Sequence, residues 1–158
     1  MHPTRNNIPV KVRKEMIALL NARLADAIDL GLQAKQAHWN VKGMHFMPLH
    51  ELFDKVAESA EEAVDLIAER AVALGGTAEG TLEAVAKATT LPKYPLSLSD
   101  GKAHVERLAQ SMAVFGESVR EAIDRAAELG DADTSDLFTG VSRESDKYLW
   151  FVEAHLQK

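Results

Sequence analysis

Apolar residues recur at three- and four-residue intervals along four long stretches of the chain, which is the spacing of one face of an α-helix. These stretches predict helices over about residues 9–41, 48–74, 99–130 and 133–156. No stretch of the sequence shows the sustained alternation of apolar and polar residues that is typical of a half-buried strand. The pattern therefore predicts an all-α protein.

Residues that favour the start or the end of a helix support these boundaries. Pro48 can occupy a first helical turn, and Gly75 follows the second stretch. Ser99 is the expected N-cap of the third helix. Asp133, with Asp136 three residues later, resembles a capping arrangement at the start of the fourth. Each predicted helix thus has a plausible beginning.

The segment between the second and third helices, residues 77–98, is interrupted by proline and glycine and contains one short helical candidate at residues 81–88. Such a connection can join distant helix ends, so the second and third helices are expected to run parallel, as in ferritin-like bundles. A chain of 158 residues suits a single domain. We therefore expect one ferritin-like four-helix bundle, residues 1–158, with a short helix in its long crossover.

Composition narrows the possible functions. The formal net charge of −6 disfavours nucleic acid as a partner and suits the collection of cations. The absence of cysteine excludes disulfides and thiol chemistry. No apolar stretch approaches the roughly 20 residues of a membrane helix, and the first residues do not resemble a signal peptide. We therefore expect a soluble, cytoplasmic protein whose chemistry depends on metal ions or aromatic side chains.

Acidic and imidazole side chains recur along one face of the second predicted helix. The row contains six such residues, spaced three or four positions apart. Since successive residues turn by about 100°, all six fall within one sector of the helix. A solvated face is the ordinary explanation, but Lys55 is the only cation between residues 48 and 69, so the usual pairing with lysines one turn away is missing. Bound divalent cations would neutralise this repulsion. The six residues are His50, Asp54, Glu58, Glu61, Asp65 and Glu69.

Two pairs in this row, His50 with Asp54 and Asp65 with Glu69, are spaced to direct two ligands each at a metal ion. Nitrogen and carboxylate ligands suit Fe²⁺ or Mn²⁺, and Zn²⁺ also binds them. The chain has no Glu-x-x-His unit of the kind that builds a metal site inside a bundle. Because the row lies away from the apolar stripe, a metal site here is expected to need a second subunit.

Several blocks of the sequence resemble the Dps family, the DNA-binding proteins from starved cells. They are KQAHWNVKG, LHELFD, DLIAERAVALGG and DADTSDLFTGVSRESDKYLWFVEAHLQ. The resemblance implies a hollow homododecamer with ferroxidase sites between subunits. It also implies that His38, His50 and Asp54 come from one subunit, and Asp65 and Glu69 from its two-fold neighbour.

The function implied by this resemblance is oxidation of Fe²⁺, preferably by hydrogen peroxide, and storage of the ferric mineral, which protects against oxidative stress. By helical phase alone, His38 is a core or helix-end residue, and only the family motif assigns it to the site. Trp39 is either an interface residue or an oxidisable neighbour of the iron. Mineral nucleation, or a merely solvated face, is expected at Glu58, Glu61 and Glu62. Asp133 and Asp136 resemble residues near the iron-entry pores.

The alternative is a DNA-binding, nucleoid-protecting cage with little ferroxidase activity. Family members that bind DNA commonly carry a lysine-rich tail, whereas the early cations here are only Arg5, Lys11, Arg13 and Lys14. Twelve copies would also multiply the net negative charge, which opposes phosphate binding. DNA binding is therefore expected to be weak. Structural roles are expected for the remaining histidines, His2, His45, His104 and His155.

Overall fold

The computed structural model describes residues 1–157, and within them it contains five helices and no strand. The bounds are α1 Val10–Asn40, α2 Phe46–Ala73, α3 Leu82–Ala88, α4 Gly101–Glu128 and α5 Ala132–Glu153. The expected all-α fold is confirmed, with α3 as the short crossover helix. No helix among these residues is both long and apolar enough to span a membrane.

Aspartates cap the two C-terminal helices, but they are not the residues expected. Asp100, and not Ser99, caps α4, because its carboxylate accepts a hydrogen bond at 3.0 Å from the N–H three residues later. Asp131, and not Asp133, caps α5 in the same way, at 3.1 Å. The predicted caps were wrong by one and two positions, because a neighbouring carboxylate reaches the free N–H groups. The predicted end at Leu156 was also wrong, since α5 ends three residues earlier.

The four long helices enclose one apolar core. α1 packs along α2 and against α4, and α5 packs along α4 and against α2. Fully buried side chains from all four helices meet there, including Leu20, Leu24, Phe53, Ile67, Leu108, Met112, Phe115 and Phe138. The apolar stripe of α2 faces this core, so the polar row on the same helix faces away from it.

Contacts at the two ends of the bundle show that α2 and α4 run parallel, as expected. At one end the N–H of Lys42, just before α2, donates to the carbonyl of Ser99, just before α4, at 2.9 Å. At the other end Arg70, in the last turn of α2, forms an ion pair with Asp131, which follows α4, at 2.7 Å. The long crossover therefore returns the chain to the end from which α2 starts.

Two aspartates on α1 hold the crossover against the bundle. Asp26 is fully buried and accepts hydrogen bonds from the N–H and the hydroxyl of Thr90, at 2.7 and 3.0 Å. Asp29 accepts from the hydroxyl of Thr89 at 2.7 Å. Arg23 pairs with the second carboxylate oxygen of Asp26 at 2.9 Å, so this buried charge is neutralised.

The N-terminal segment folds back onto the end of α2. The N–H of His2 donates to the carbonyl of Gly75 at 2.7 Å. Gly75 has a φ of +88°, and a Cβ there would lie 2.8 Å from the carbonyl oxygen of His2, so glycine is required for this contact. Arg13 adds hydrogen bonds to the carbonyls of Ile8 and Leu74, both at 3.0 Å. The first nine residues are thereby attached to the body of the protein.

Candidate metal centre

Two histidines stack on each other where α1 ends and α2 begins. The imidazole rings of His38 and His50 have centroids 3.7 Å apart and planes inclined by 19°. The Nδ1 atom of His38 lies 2.7 Å from the carbonyl oxygen of His50, and the Nδ1 atom of His50 lies 2.8 Å from the carbonyl oxygen of His38. Each side chain is therefore held by the backbone of the other residue.

These contacts determine which nitrogen of each ring is free. A carbonyl oxygen can only accept a hydrogen bond, so each Nδ1 must carry the hydrogen. In a neutral ring the lone pair is then on Nε2, the form in which imidazole binds a metal ion. His38 and His50 are thus prepared as two nitrogen ligands before any metal is present.

Asp54, one turn after His50, adds a carboxylate to this pair. Its Oδ1 atom lies 3.9 Å from Nδ1 of His38, and the residue is partly exposed. The same Oδ1 accepts a hydrogen bond from the ammonium group of Lys35 on α1. This bond, with smaller contributions from the two imidazoles, lowers the pKa of Asp54 below its ordinary value of 3.8, although desolvation opposes the shift. The carboxylate is therefore ionised at neutral pH and ready to bind a cation.

Asp65 and Glu69 lie further along the same helix, and both are exposed. Neither forms an ion pair with any residue in the range 1–157. Asp65 lies eleven positions after Asp54, which is about 16 Å at about 1.5 Å per residue. Both carboxylates are thus too far from the His38 and His50 rings to share one ion with them in the same chain.

The geometry of one chain is therefore that of an incomplete centre. No group of three or more histidine, aspartate and glutamate side chains in the described part of the chain is arranged to hold a metal ion. The structure brings His38, His50 and Asp54 to one place, and it leaves Asp65 and Glu69 together at another. Within one chain the five side chains therefore form two separate groups.

Comparison with known proteins identifies the fold and the family. A family model described as a ferritin-like domain matches residues 17–158. The DNA protection during starvation protein of Agrobacterium fabrum is 44% identical over 157 residues, which cover 99% of this chain and 97% of that protein. The chain belongs to the Dps family.

Solved Dps structures are similar over almost the whole chain. The Dps of Mycobacterium smegmatis superimposes with a TM-score of 0.94 at 31% identity, covering 100% of this chain and 95% of that one. A structure of Dps from Microbacterium arborescens in the high iron form superimposes with a TM-score of 0.89 at 28% identity, covering 98% and 99%. Membership of this ferritin-like family supports a role in iron storage.

The other predicted residues of this Dps chain lie around the centre in different environments. Trp39, next to His38, is 66% exposed at the end of α1. Glu58 and Glu61 line a groove between α1 and α2 that also contains Lys35. Glu62 instead lines a cavity of about 380 Å³ between α2 and α5. The three glutamates expected as one nucleation set are thus divided between two sides of α2.

Asp133 and Asp136 lie in the first turns of α5, at the edge of the same cavity. Asp133 is 83% exposed and has Arg70 at 3.8 Å. Because Asp131 is the helix cap, the capping explanation for Asp133 is wrong, and its carboxylate is available at the surface. Whether these residues line a pore depends on the assembly and stays a prediction.

Two residues of the centre were not found from the sequence. Lys35 lies on α1, so the pattern of charges along α2 does not reveal it, although its spacing of three residues from His38 places both on one face of α1. Arg70, adjacent to Glu69, was overlooked because its partner is 61 positions away. It donates to Asp131 and also, at 2.9 Å, to the hydroxyl of Thr134. It thereby fixes the end of α2 that carries the exposed acid pair.

Proposed function

We propose that this Dps protein is a ferroxidase mini-ferritin, which oxidises Fe²⁺ at sites shared between two subunits and stores the ferric product in a hollow dodecamer. The observation that carries the proposal is the half-centre of His38, His50 and Asp54, with its two Nε2 atoms free. Nitrogen and carboxylate donors without sulfur suit Fe²⁺. The Microbacterium arborescens relative in its high iron form supports iron as the substrate metal.

We propose that the missing ligands are Asp65 and Glu69 of a two-fold neighbour. Both are exposed, unpaired within residues 1–157 and one turn apart, so they can approach an ion from outside the chain. The neighbouring apolar side chains Leu66 and Val72 are each 53% exposed and would be covered in such an interface. Two-fold symmetry would then produce two equivalent sites for each pair of chains.

Hydrogen peroxide is the proposed oxidant. Two Fe²⁺ ions give one electron each to peroxide, which takes up two protons and leaves as two water molecules, so no hydroxyl radical is released. Carboxylates favour this direction because they stabilise the harder, more highly charged Fe³⁺ ion. When Fe²⁺ binds, it takes the place of the Lys35 ammonium at the Asp54 carboxylate. Trp39 lies beside the site and is accessible to any oxidant that escapes.

Storage requires a path for cations and a surface on which the ferric ions collect. Asp133 and Asp136 are the proposed entry residues, and Glu62, which lines the same cavity, connects them with the interior. Glu58 and Glu61 are the proposed nucleation residues closest to the half-centre. Their side chains are exposed, and Lys35 lines the same groove.

DNA binding is proposed to be weak or absent. The N-terminal segment is attached to the end of α2 through His2 and Arg13, so its cations are held close to the body of the protein. The formal charge of −6 on each chain opposes association with phosphates unless divalent cations intervene. A gel-shift assay at several salt concentrations tests this point directly.

The experiment that tests the function is stopped-flow oxidation of Fe²⁺ by the assembled protein, with peroxide in one series and dioxygen in the other. We expect much faster formation of the ferric product with peroxide, close to two irons consumed per peroxide, and little hydroxyl radical in spin-trapping. Native mass spectrometry should show a dodecamer. Oxidation no faster than in a protein-free control, or a stable monomer at micromolar concentration, would contradict the proposal.

A further inference from the structure

A buried histidine and a tyrosine form a hydrogen bond beneath the half-centre. The hydroxyl of Tyr94, in the crossover, lies 2.7 Å from Nδ1 of His104, in the first turn of α4. The rings are nearly parallel, with centroids 6.0 Å apart and planes inclined by 20°. His104 is only 1% exposed, and Tyr94 is partly buried, so the contact lies largely beneath the surface.

The surroundings of His104 indicate which atom carries the proton. Burial lowers the pKa of His104, although the backbone of Leu98 and Asn40 and the charge of Asp100 act in the opposite direction, so the ring is neutral at pH 7. Nε2 makes no hydrogen bond of ordinary geometry with any residue in the described range. The backbone acceptors next to the ring favour a hydrogen on Nε2. Nδ1 then accepts from the Tyr94 hydroxyl.

Tyr94 itself is a neutral phenol. Burial raises its pKa, and the nearby charge of Arg107 offsets this only in part. It therefore cannot be oxidised through a phenolate at neutral pH. Loss of an electron from a neutral phenol becomes favourable when a base receives the proton at the same time, and Nδ1 of His104 is in the position of that base.

The buried pair lies close to the helix segment that carries two residues of the half-centre. The ring of His104 lies 6.3 Å from the ring of Phe53, which is fully buried. Phe53 immediately precedes Asp54 and is three residues from His50, so it lies next to His50 on the helix. His104 therefore packs against the same turn of α2 that carries His50 and Asp54.

We propose that Tyr94 and His104 form a proton-coupled redox pair that delivers one electron to the iron site when only one Fe²⁺ has reacted with peroxide. This inference rests on the proposed function. A single Fe²⁺ reduces peroxide by one electron and yields Fe³⁺, hydroxide and an oxidant at the level of hydroxyl radical. Tyr94 supplies the second electron, and its phenolic proton moves to Nδ1 of His104. The oxidant takes that electron and one proton from solvent, and becomes water.

The paired reaction of two irons does not need this step. The pair matters when the site is half filled, at low iron concentration, because the second electron must then come from the protein. The resulting phenoxyl radical is then on the partly buried Tyr94, with the histidinium beside it to return the proton. A structural link between the crossover and α4 would use the same hydrogen bond but would not lose an electron, so a radical signal separates the two roles.

The test is electron paramagnetic resonance of the assembled protein, frozen seconds after a single Fe²⁺ per site is mixed with an equal amount of peroxide. Ferric product is measured by absorbance in the same sample. We expect a tyrosyl signal that narrows when the protein contains ring-deuterated tyrosine. The chain has only two tyrosines. Tyr94→Phe should abolish the signal, and Tyr148→Phe, on the outer part of α5, should leave it unchanged.

Two further measurements distinguish a redox role of the pair from a structural one. His104→Gln keeps a hydrogen-bonding side chain but no base, so it should lose the radical even though Tyr94 is present. Spin-trapping should detect more hydroxyl radical in Tyr94→Phe than in the unmodified protein. Iron oxidation without a tyrosyl radical, or a tyrosyl signal that survives Tyr94→Phe, overturns this inference alone. Absence of ferric product with peroxide overturns the proposed function, and this inference with it.

Discussion

The two ends of the polar row on α2 are built differently. At the beginning of the helix, His50 and Asp54 are joined to α1 through His38 and Lys35, and every one of these side chains has a partner within the chain. Toward its end, Asp65 and Glu69 are exposed and have no ion partner in residues 1–157. One end is a hydrogen-bonded cluster of side chains, and the other is a pair of exposed carboxylates.

This difference teaches that the same spacing of polar residues can serve two purposes. The histidine end would lose little conformational freedom on binding a metal ion, because its rings are already stacked and hydrogen-bonded. The carboxylate end remains adaptable, and like charges one turn apart are tolerated because water solvates both. A shared site would thus combine a rigid half from one chain with an adaptable half from another.

The largest effect is expected when the two ends of the row are altered in different chains, which are then assembled together. One variant carries His50→Ala with Asp54→Ala, and the other carries Asp65→Ala with Glu69→Ala. Each assembled variant should oxidise Fe²⁺ slowly. If sites are shared, a mixed dimer contains one site with every ligand and one site that lacks all four, so co-assembly should restore part of the activity in stopped-flow measurements.

The control is proof that the cages contain both variants, which native mass spectrometry provides. If all five ligands acted within one chain, every site in a mixed cage would still lack two of them. Mixed cages that oxidise iron no faster than either parent would therefore refute the shared site, while leaving the fold and the half-centre as described.

A second prediction concerns how the carboxylate end of α2 is held. Asp131 is 1% exposed, pairs with Arg70 and caps α5, so Asp131→Ala leaves a largely buried guanidinium without its partner. We expect a loss of about 3–5 kcal/mol in the free energy of unfolding. Glu15→Ala is the matched control, because it removes the exposed partner of Arg125 and should cost less than about 1 kcal/mol.

The measurement is the midpoint of urea unfolding at one fixed protein concentration, since assembly is linked to stability. The slope of the transition should stay the same in both variants. Equal losses in Asp131→Ala and Glu15→Ala would show that burial of the Arg70 pair does not stabilise this end of the bundle.

The sequence predicted the features that depend on neighbouring residues. Helical periodicity is repeated many times within each long helix, so four helices and the short crossover helix were predicted with nearly the observed bounds. Gly75 was recognised as a helix end because the requirement for a positive φ is local. The spacing of His50 and Asp54 likewise identified a pair on one face.

Features that depend on another element were missed or misplaced. The Asp131 cap is fixed partly by Arg70 from another helix, and no pattern within α5 distinguishes it from Asp133. Lys35 pairs with Asp54 across two helices, so the row on α2 is less bare of cations than its own sequence suggested. Helical phase left His38 as either a core or a helix-end residue, and only its reciprocal contact with His50, on another helix, decides for the helix end.

A third prediction concerns the loss of folding stability at low pH. We expect acid to destabilise first the end of the bundle where α2 begins. Burial lowers the pKa of His104 below its ordinary value of 6.5, although backbone acceptors and Asp100 oppose the shift. The unfolded chain then binds more protons than the folded chain as pH falls below about 6.5, so stability is lost in that direction and is constant above it. His104→Gln should flatten this dependence in urea unfolding at several pH values.

Hydrogen exchange can locate the effect. Exchange should accelerate first around Tyr94 and the first turns of α4, and only later around Arg70, because that end of α2 contains no buried histidine. A stability curve in His104→Gln as steep as in the unmodified protein would assign the acid sensitivity to other groups. Uniform acceleration along α2 would contradict the proposed difference between its two ends.

The smallest expected effect comes from Lys35, which pairs with Asp54 of the half-centre. A metal ion must displace its ammonium group from Asp54, so Lys35→Gln should tighten binding of Zn²⁺, a probe without redox chemistry. Because partly exposed ion pairs contribute only about 0.2–1 kcal/mol, the affinity should rise about 1.4- to fivefold, measured by calorimetry, and less at high salt. Lys55→Gln removes an equal charge from the outer face of α2 without touching Asp54, so it should change the affinity less. Equal gains would reduce the role of Lys35 to general electrostatics, and weaker binding in Lys35→Gln would mean that the lysine orients Asp54 for the metal.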